Sequence, residues 1–176
     1  TQDVYLPTFN AIHADTQVIA AGNKIALKFS ENMATLTTGA KSQFTVLVNG
    51  SSATVSSAAL NGSDASIVEL TMQDKIAQNA SVEVKYDQSS TTSDRLKDAA
   101  TSGNGEELAN FATTGIENNS TQDLTAPTFL STDAATTVAA SGTSIDLKFS
   151  EALAAITDAT AERGQFTLKV NGVSKT

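Results

Sequence analysis

The sequence predicts an all-β protein, an immunoglobulin-like β-sandwich in tandem repeats with about seven strands in each repeat. Apolar and polar residues alternate over short stretches, turn dipeptides separate these stretches, and the pattern starts again at residue 121 of 176. Hydrophobic residues make up 40% of the chain and charged residues only 17%. The remainder is rich in Thr, Ser and Asn, which is typical of β-rich surface domains rather than helical bundles.

An internal repeat organises the chain. Residues 27–31 (Leu-Lys-Phe-Ser-Glu) return unchanged as residues 147–151, which is 120 positions later. Residues 43–45 (Gln-Phe-Thr) return as residues 165–167, 122 positions later. Two residues have therefore been inserted in the loop between these matches, where changes in length are well tolerated.

These matches predict two domains, a complete repeat over 1–120 and the N-terminal half of a second, incomplete repeat over 121–176. Half of a sandwich exposes apolar faces and unpaired strand edges. We therefore expect that the parent protein continues or that another chain supplies the missing strands. The expected partners are neighbouring repeats of the same chain and a second copy that associates by strand addition.

The alternation locates the individual strands. Ile25, Leu27 and Phe29 occupy every second position, as expected for a strand with one buried face. Asn49-Gly50 and Asn61-Gly62 predict tight turns, since both residue types tolerate positive φ. One helical turn is expected within 31–42, with 152–156 as its equivalent. The predicted strands of the first repeat lie near residues 9–12, 25–30, 44–48, 53–60, 68–72, 82–86 and 111–116.

The charge, the lack of cysteine and the hydropathy of the chain exclude several classes of function. The 19 acidic and 11 basic residues give a net charge of −8, which argues against nucleic-acid binding. The absence of Cys excludes disulfides and thiolate metal sites. No apolar run approaches the roughly 18 residues of a membrane span, and no signal peptide is recognisable.

Acidic and amide side chains are expected to gather at one end of the first sandwich. If the strands run up and down in order, the end of the second strand and the loop after the sixth meet at the N-terminal pole. Calcium prefers six to eight oxygen ligands, so these loops predict a calcium site at the junction between repeats. The candidate ligands, with the equivalents in the second repeat last, are Asp3, Glu31, Asp98, Asn104, Asp123 and Glu151.

A purely structural role for these residues is an open alternative. Asp98 then stabilises a turn, Glu31 caps a helical turn or pairs with a lysine, and Asp3 belongs to a solvated linker. The sequence contains no EF-hand loop and no nonapeptide calcium repeat.

No residue is predicted to be catalytic. His13 is the only histidine and is replaced by Asp133 in the second repeat, which indicates a solvent-exposed position on the surface of a strand. No serine lies in a Gly-x-Ser-x-Gly motif, and the side chains of the adjacent Glu106 and Glu107 diverge. Trp is absent, which disfavours carbohydrate binding.

The motifs resemble the SwmB-type (swimming-motility-associated) repeat of bacterial cell-surface proteins. The resemblance rests on Phe29-Ser30-Glu31, residues 43–50, residues 82–86, residues 96–104 and the segment from Phe111 to Asn119. It extends to the broader tandem bacterial Ig-like and cadherin-like repeats, which share the acid followed by Ala-Pro at residues 123–127. The run at 99–102 is longer than the family pattern, which makes Asn104 a weaker ligand candidate than Asp98.

The resemblance implies a large, secreted or cell-surface protein with a role in motility, adhesion or a matrix, sometimes stiffened by calcium. The expected function is therefore a non-enzymatic structural repeat in an extracellular location. The alternatives are a specific adhesin that binds a protein or carbohydrate through loops such as 87–105, and an accessory domain of an extracellular hydrolase.

Overall fold

The computed structural model describes residues 5–99, 105–155 and 164–175. The chain divides into two compact units, Thr1–Leu124 and Thr125–Thr176. The described residues form strands and turns, and their only helices are the short 3₁₀ helices Ala40–Gln43 and Thr92–Asp94. The prediction of an all-β protein is confirmed, whereas the immunoglobulin-like sandwich stays a prediction.

The described residues of the first unit form eight strands in one nearly closed sheet. The strands are β1 (Gln17–Val18), β2 (Lys24–Lys28), β3 (Phe44–Val48), β4 (Ser51–Ala53), β5 (Val55–Leu60), β6 (Ile67–Met72), β7 (Val82–Tyr86) and β8 (Phe111–Asn118). Their order in the sheet is β4-β3-β7-β8-β1-β2-β6-β5. The two edge strands, β4 and β5, are consecutive in the chain and are separated only by Thr54.

The alternating residues of the strands build one apolar core. In β2, Ile25 and Leu27 are fully buried, and they lie opposite Leu70 and Val68 of β6. In β3, Val46 is buried opposite Val84 of β7. Removal of this apolar surface from water is the main driving force for folding of the unit.

The N-terminal part of the chain differs from the prediction of a continuous first strand over 9–12. Phe9 makes a single bridge to Phe29, and residues 11–12 turn away before the chain rejoins the sheet as β1. The Thr16 hydroxyl connects this turn to β2, since it donates to the Asn10 carbonyl (2.7 Å) and accepts from the Lys28 N–H (3.0 Å).

Two of the predicted turns have different physical origins. Asn49 and Gly50 join β3 to β4 with φ of 51° and 76°, as predicted for a tight hairpin turn. Asn61 does not adopt a positive φ, which corrects the prediction for this position. Its side-chain oxygen instead accepts from the N–H groups of Ser63 (2.9 Å) and Asp64 (3.1 Å), which is an Asx turn.

The predicted helical turn is displaced. Within 31–42 it appears only at the C-terminal end, where the 3₁₀ helix Ala40–Gln43 leads directly into β3. In the second unit, residues 152–155 are not helical, and residue 156 lies outside the described residues.

The second unit contains four short strands among its described residues. These are β9 (Thr137–Val138), β10 (Ile145–Asp146), β11 (Leu168–Val170) and β12 (Val173–Lys175). β9 pairs with β10, and β11 pairs with β12, both antiparallel. Asn171 and Gly172 form the β11–β12 turn with φ of 51° and 80°, which repeats the turn between β3 and β4.

Candidate functional site

Asp98 is a buried carboxylate with one oxygen that lacks a hydrogen-bond partner in the described part of the chain. Only 2% of Asp98 is exposed. Its Oδ1 accepts from the Glu106 N–H (2.8 Å), and its own N–H donates to the Glu106 carbonyl (3.1 Å). Its Oδ2 is buried and receives no hydrogen bond from any residue that the structure describes. Because an unpartnered buried oxygen is costly, this atom is a candidate ligand for a cation.

The segment that carries Glu31 runs beside the segment that carries Asp98. Met33 bridges Asp98, and the Ala99 N–H donates to the Asn32 carbonyl (2.8 Å). Glu31 immediately precedes Asn32, in the bend that follows Phe29. Glu31 is only partly exposed. The structure therefore brings these two predicted ligands to the same end of the first unit.

Gly105 packs against Asp98 so closely that no side chain fits there. A Cβ added at Gly105 would lie 2.2 Å from both the carbonyl oxygen and Oδ1 of Asp98. The glycine thus lets the chain return alongside Asp98 and position the Glu106 N–H. Sequence analysis did not identify this role.

The other predicted ligands lie elsewhere or outside the described residues. Asp3 and Asn104 belong to the undescribed part of the chain. Asp123 is exposed and follows a segment in which the Thr121 N–H donates to the Ala20 carbonyl (3.0 Å), at the opposite end of β2 from Glu31. Glu151 occupies the position equivalent to Glu31 in the second unit and is partly buried. Within the described residues, no three His, Cys, Asp or Glu side chains form a group that could hold a metal.

A buried polar network fixes the loop that follows β7. The Gln43 side chain is 4% exposed; its Oε1 accepts from the Tyr86 hydroxyl (3.0 Å) and the Ser89 N–H (2.9 Å). Its Nε2 donates to the Asp94 carbonyl (2.6 Å), and the Tyr86 hydroxyl in turn accepts from the Leu96 N–H (3.1 Å). Burial raises the pKa of Tyr86 above its ordinary value of 10, so this hydroxyl stays protonated.

Sequence analysis did not predict this network. Gln43 is a polar residue in a buried position. Its recurrence as Gln165 was the one sequence feature that could have indicated a structural role. Further along the loop, Arg95 donates to the carbonyl of Ser89 (2.8 Å) and to Glu107 (2.8 Å). The described part of the loop considered for adhesion is therefore held to the first unit by side chains.

Two lysines of β2 pair with acidic residues next to or within β6. Lys28 Nζ lies 2.6 Å from Asp64 Oδ2, and Lys24 Nζ lies 2.7 Å from Glu69 Oε2. Hydrogen bonds from Lys28 and Ser66 hold the pKa of the Asp64 carboxyl well below its usual range. These ion pairs connect β2 to β6 and to the residues just before β6, and they do not contribute to the candidate site at Asp98.

His13 lies in the turn after Phe9 and not within a strand. Its imidazole is exposed and lies 3.5 Å from the Asp15 carboxylate. The expected exposure of this position is confirmed.

Among the described residues, no helix is long and apolar enough to cross a membrane.

Comparison with known proteins identifies the family. No curated protein sequence matches the chain. A solved structure of the S-layer protein SbsC aligns with a TM-score of 0.49 and 14% identity, over 71% of this chain and 15% of that chain. The N-terminal part of the same bacterial protein aligns with a TM-score of 0.48 and 15% identity, over 71% of this chain and 26% of that chain. The family model described as "Putative flagellar system-associated repeat" matches residues 3–91, half of the chain, which confirms the resemblance to motility-associated repeats, and the chain belongs to this family.

Proposed function

We propose that the chain is a non-enzymatic structural repeat of a large secreted or cell-surface protein, in which successive units extend the molecule away from the cell. The observation that carries the proposal is the recurrence, in register, of a β unit that belongs to a flagellar system-associated repeat family. Units that repeat in tandem build elongated proteins, because each unit contacts only its neighbours.

The connection between the two ends of the first unit supports a load-bearing role. β1, near the N-terminal end, pairs in parallel with β8, near the C-terminal end. Beyond this ladder, the Asn119 N–H donates to the Val18 carbonyl (3.1 Å). When the two ends of a unit are pulled apart, parallel terminal strands slide along each other, and their hydrogen bonds must break together rather than one at a time.

Aromatic rings near the start of β8 form a second connection between the first residues of the unit and its last strand. Phe9 stacks on Phe111 of β8 with ring centroids 4.4 Å apart, and it contacts Phe29 at 5.8 Å. The first residues of the unit are thereby attached to its last strand as well as to β2. Such aromatic pairs contribute about 0.5–1.5 kcal/mol beyond their buried area.

Calcium at the acidic end of the first unit is the finer part of the proposal. The buried Oδ2 of Asp98 and the neighbouring Glu31 supply carboxylate oxygens, the ligand type that calcium prefers. Asp3 and Asn104 are the further ligands proposed from the sequence, and Asp123 and Glu151 are the equivalents of Asp3 and Glu31 in the second repeat. Bound cation would stabilise the folded unit by mass action.

Thermal unfolding with calcium and with a chelator tests the cation site. Wild-type protein is expected to melt several degrees higher in calcium, by mass action on the folded state. Asp98→Asn is expected to lose this shift, and its Oδ1 still accepts from Glu106. In chelator, Asp98→Asn is expected to be no less stable than wild type, because it removes a buried charge.

Asp64→Asn is the matched control for this experiment. It removes a carboxylate whose partner is Lys28, so it should destabilise the protein equally in calcium and in chelator. A calcium shift of unchanged size in Asp98→Asn would rule out this residue as a ligand. Absence of any shift in wild type would rule out the calcium site and leave the structural role to be tested separately.

Single-molecule stretching tests the load-bearing role. Pulled from its ends, the first unit is expected to unfold in one step and at high force. Val18→Pro removes a donor from β1 and should lower this force more than Ser57→Pro, a substitution in the edge strand β5. Equal forces for the two variants would contradict the proposed role of the β1–β8 ladder.

A further inference from the structure

The second unit exposes the residues that form the core of the first unit. Its exposed apolar side chains include Ile145 at 42%, Leu147 at 40% and Phe166 at 61%. Their equivalents in the first unit, Ile25, Leu27 and Phe44, are 6% exposed or less. The apolar face consists of Phe129, Ile145, Leu147, Phe149, Phe166 and Leu168, which line a groove of about 470 Å³.

The strands that carry this face also have open edges within the described residues. In the first unit, β2 pairs with β6 and β3 pairs with β7. The equivalent strands of the second unit, β10 and β11, pair only with β9 and β12 in the part of the chain that the structure describes. An open edge beside an apolar face is the arrangement that accepts an added strand.

The charge of Lys148, beside this face, indicates which chain segment fits there. Lys28, on β2, pairs with Asp64 Oδ2 and donates to the Ser66 hydroxyl. Its equivalent Lys148 makes no ion pair within the described residues and is exposed. Lys148 alternates with Leu147 and Phe149, so it lies on the other side of this strand segment from the apolar face. A segment like residues 64–66, added at the open edge beside β10, would supply a carboxylate to Lys148 as Asp64 does to Lys28.

We propose that the apolar face of the second unit is a docking site for the C-terminal half of a repeat of this family. The occupant is a polypeptide with the pattern of residues 61–86, in which Asp64 precedes two alternating strands. Its first strand would pair with β10 and its second with β11, as β6 and β7 pair in the first unit. The proposal rests on the repeat architecture of the proposed function and is independent of its calcium site.

The probe is a fluorescent synthetic peptide of residues 61–88, added to the 176-residue chain in chelator. We expect saturable binding by anisotropy. Leu147→Asp in the chain should abolish it, because a charge replaces an apolar residue at the centre of the face. Ile12→Asp is the matched control, since Ile12 is 97% exposed on the first unit, and it should leave binding unchanged.

Charge reversal tests the register. Lys148→Asp is expected to weaken peptide binding about tenfold, and Asp64→Lys in the peptide is expected to restore it. Absence of peptide binding, or binding that survives Leu147→Asp, would overturn the proposal. Light scattering that shows a wild-type dimer, lost in Leu147→Asp and unaffected by the peptide, would show instead that the face covers itself. Because the chelator is present throughout and no force is applied, failure here is separable from failure of the structural function.

Discussion

The two units share a hydrogen-bonded frame but differ in their cores. Phe9 and Phe29 pack at 5.8 Å, and Phe129 and Phe149 at 5.7 Å. The Thr136 hydroxyl accepts from the Lys148 N–H at 3.0 Å, the same distance at which the Thr16 hydroxyl accepts from the Lys28 N–H. The frame is therefore specified by the half-repeat that both units contain.

Burial, by contrast, requires the other half-repeat. Phe44 is 6% exposed because it lies opposite Tyr86 of β7, whereas its equivalent Phe166 is 61% exposed. The same residues can thus form the same turns and bridges without forming a core. This difference predicts that equivalent substitutions in the two units have very different effects on stability.

The largest expected difference comes from the core leucines. Leu27→Ala should lower the free energy of unfolding by about 2–5 kcal/mol, since it leaves a cavity among fully buried side chains. Leu147→Ala should have almost no effect, because Leu147 is already 40% exposed. Urea denaturation followed by far-UV circular dichroism measures both. Similar losses for the two variants would show that the second unit has a packed core in solution.

A smaller difference is expected for the repeated glutamine. Gln43→Ala should cost about 1–3 kcal/mol, because the Tyr86 hydroxyl and the Asp94 carbonyl lose a buried partner. Gln165→Ala should be close to neutral, since Gln165 is exposed. The same denaturation experiment measures this pair, and proteolysis of the loop after β7 provides a second readout. A neutral Gln43→Ala would show that this network does not hold the loop.

The smallest effect is the pH dependence of the ion pair between Lys28 and Asp64. Because the pKa of Asp64 is depressed in the folded state, its contribution is present above the ordinary value of 3.8 and is lost as the pH falls below it. The pKa of Glu69 is also lowered, chiefly by its hydrogen bond from Lys24, so its contribution is lost below its ordinary value of 4.5.

Urea midpoints measured between neutral pH and pH 3 test this expectation. The difference between wild type and Asp64→Asn should shrink as the solution becomes more acidic. A constant gap between wild type and Asp64→Asn would mean that the ion pair does not stabilise the folded state.

Local patterns were sufficient to predict several features of the fold. Alternation at Ile25, Leu27 and Phe29 predicted β2 and its buried face, because one period-2 stretch determines which side chains point inwards. Asn49-Gly50 predicted a hairpin turn, since the positive φ values depend on those two residues alone. Family membership also followed from short motifs in the chain.

The candidate site was predicted only in part. The sequence predicted that the segments of Glu31 and Asp98 meet at one end of the first unit, and in the structure these segments run side by side. The buried Oδ2 of Asp98, which has no partner among the described residues, depends on how residues 105–107 return beside it. The network of Gln43 and Tyr86 joins residues 43 positions apart, and the Asn61 turn depends on its side chain rather than its backbone. No local pattern encodes contacts of this kind.

The sequence by itself determined the repeat, the alternating faces and the tight hairpin turns, because each depends on residues within a few positions of one another. Tertiary structure decided which of the repeated faces is buried, where β1 pairs, and which polar side chains lie inside. The physical reason is that burial and long-range hydrogen bonds need a partner segment in place. The first unit has that partner in β6–β8, whereas the described part of the second unit shows the same face uncovered.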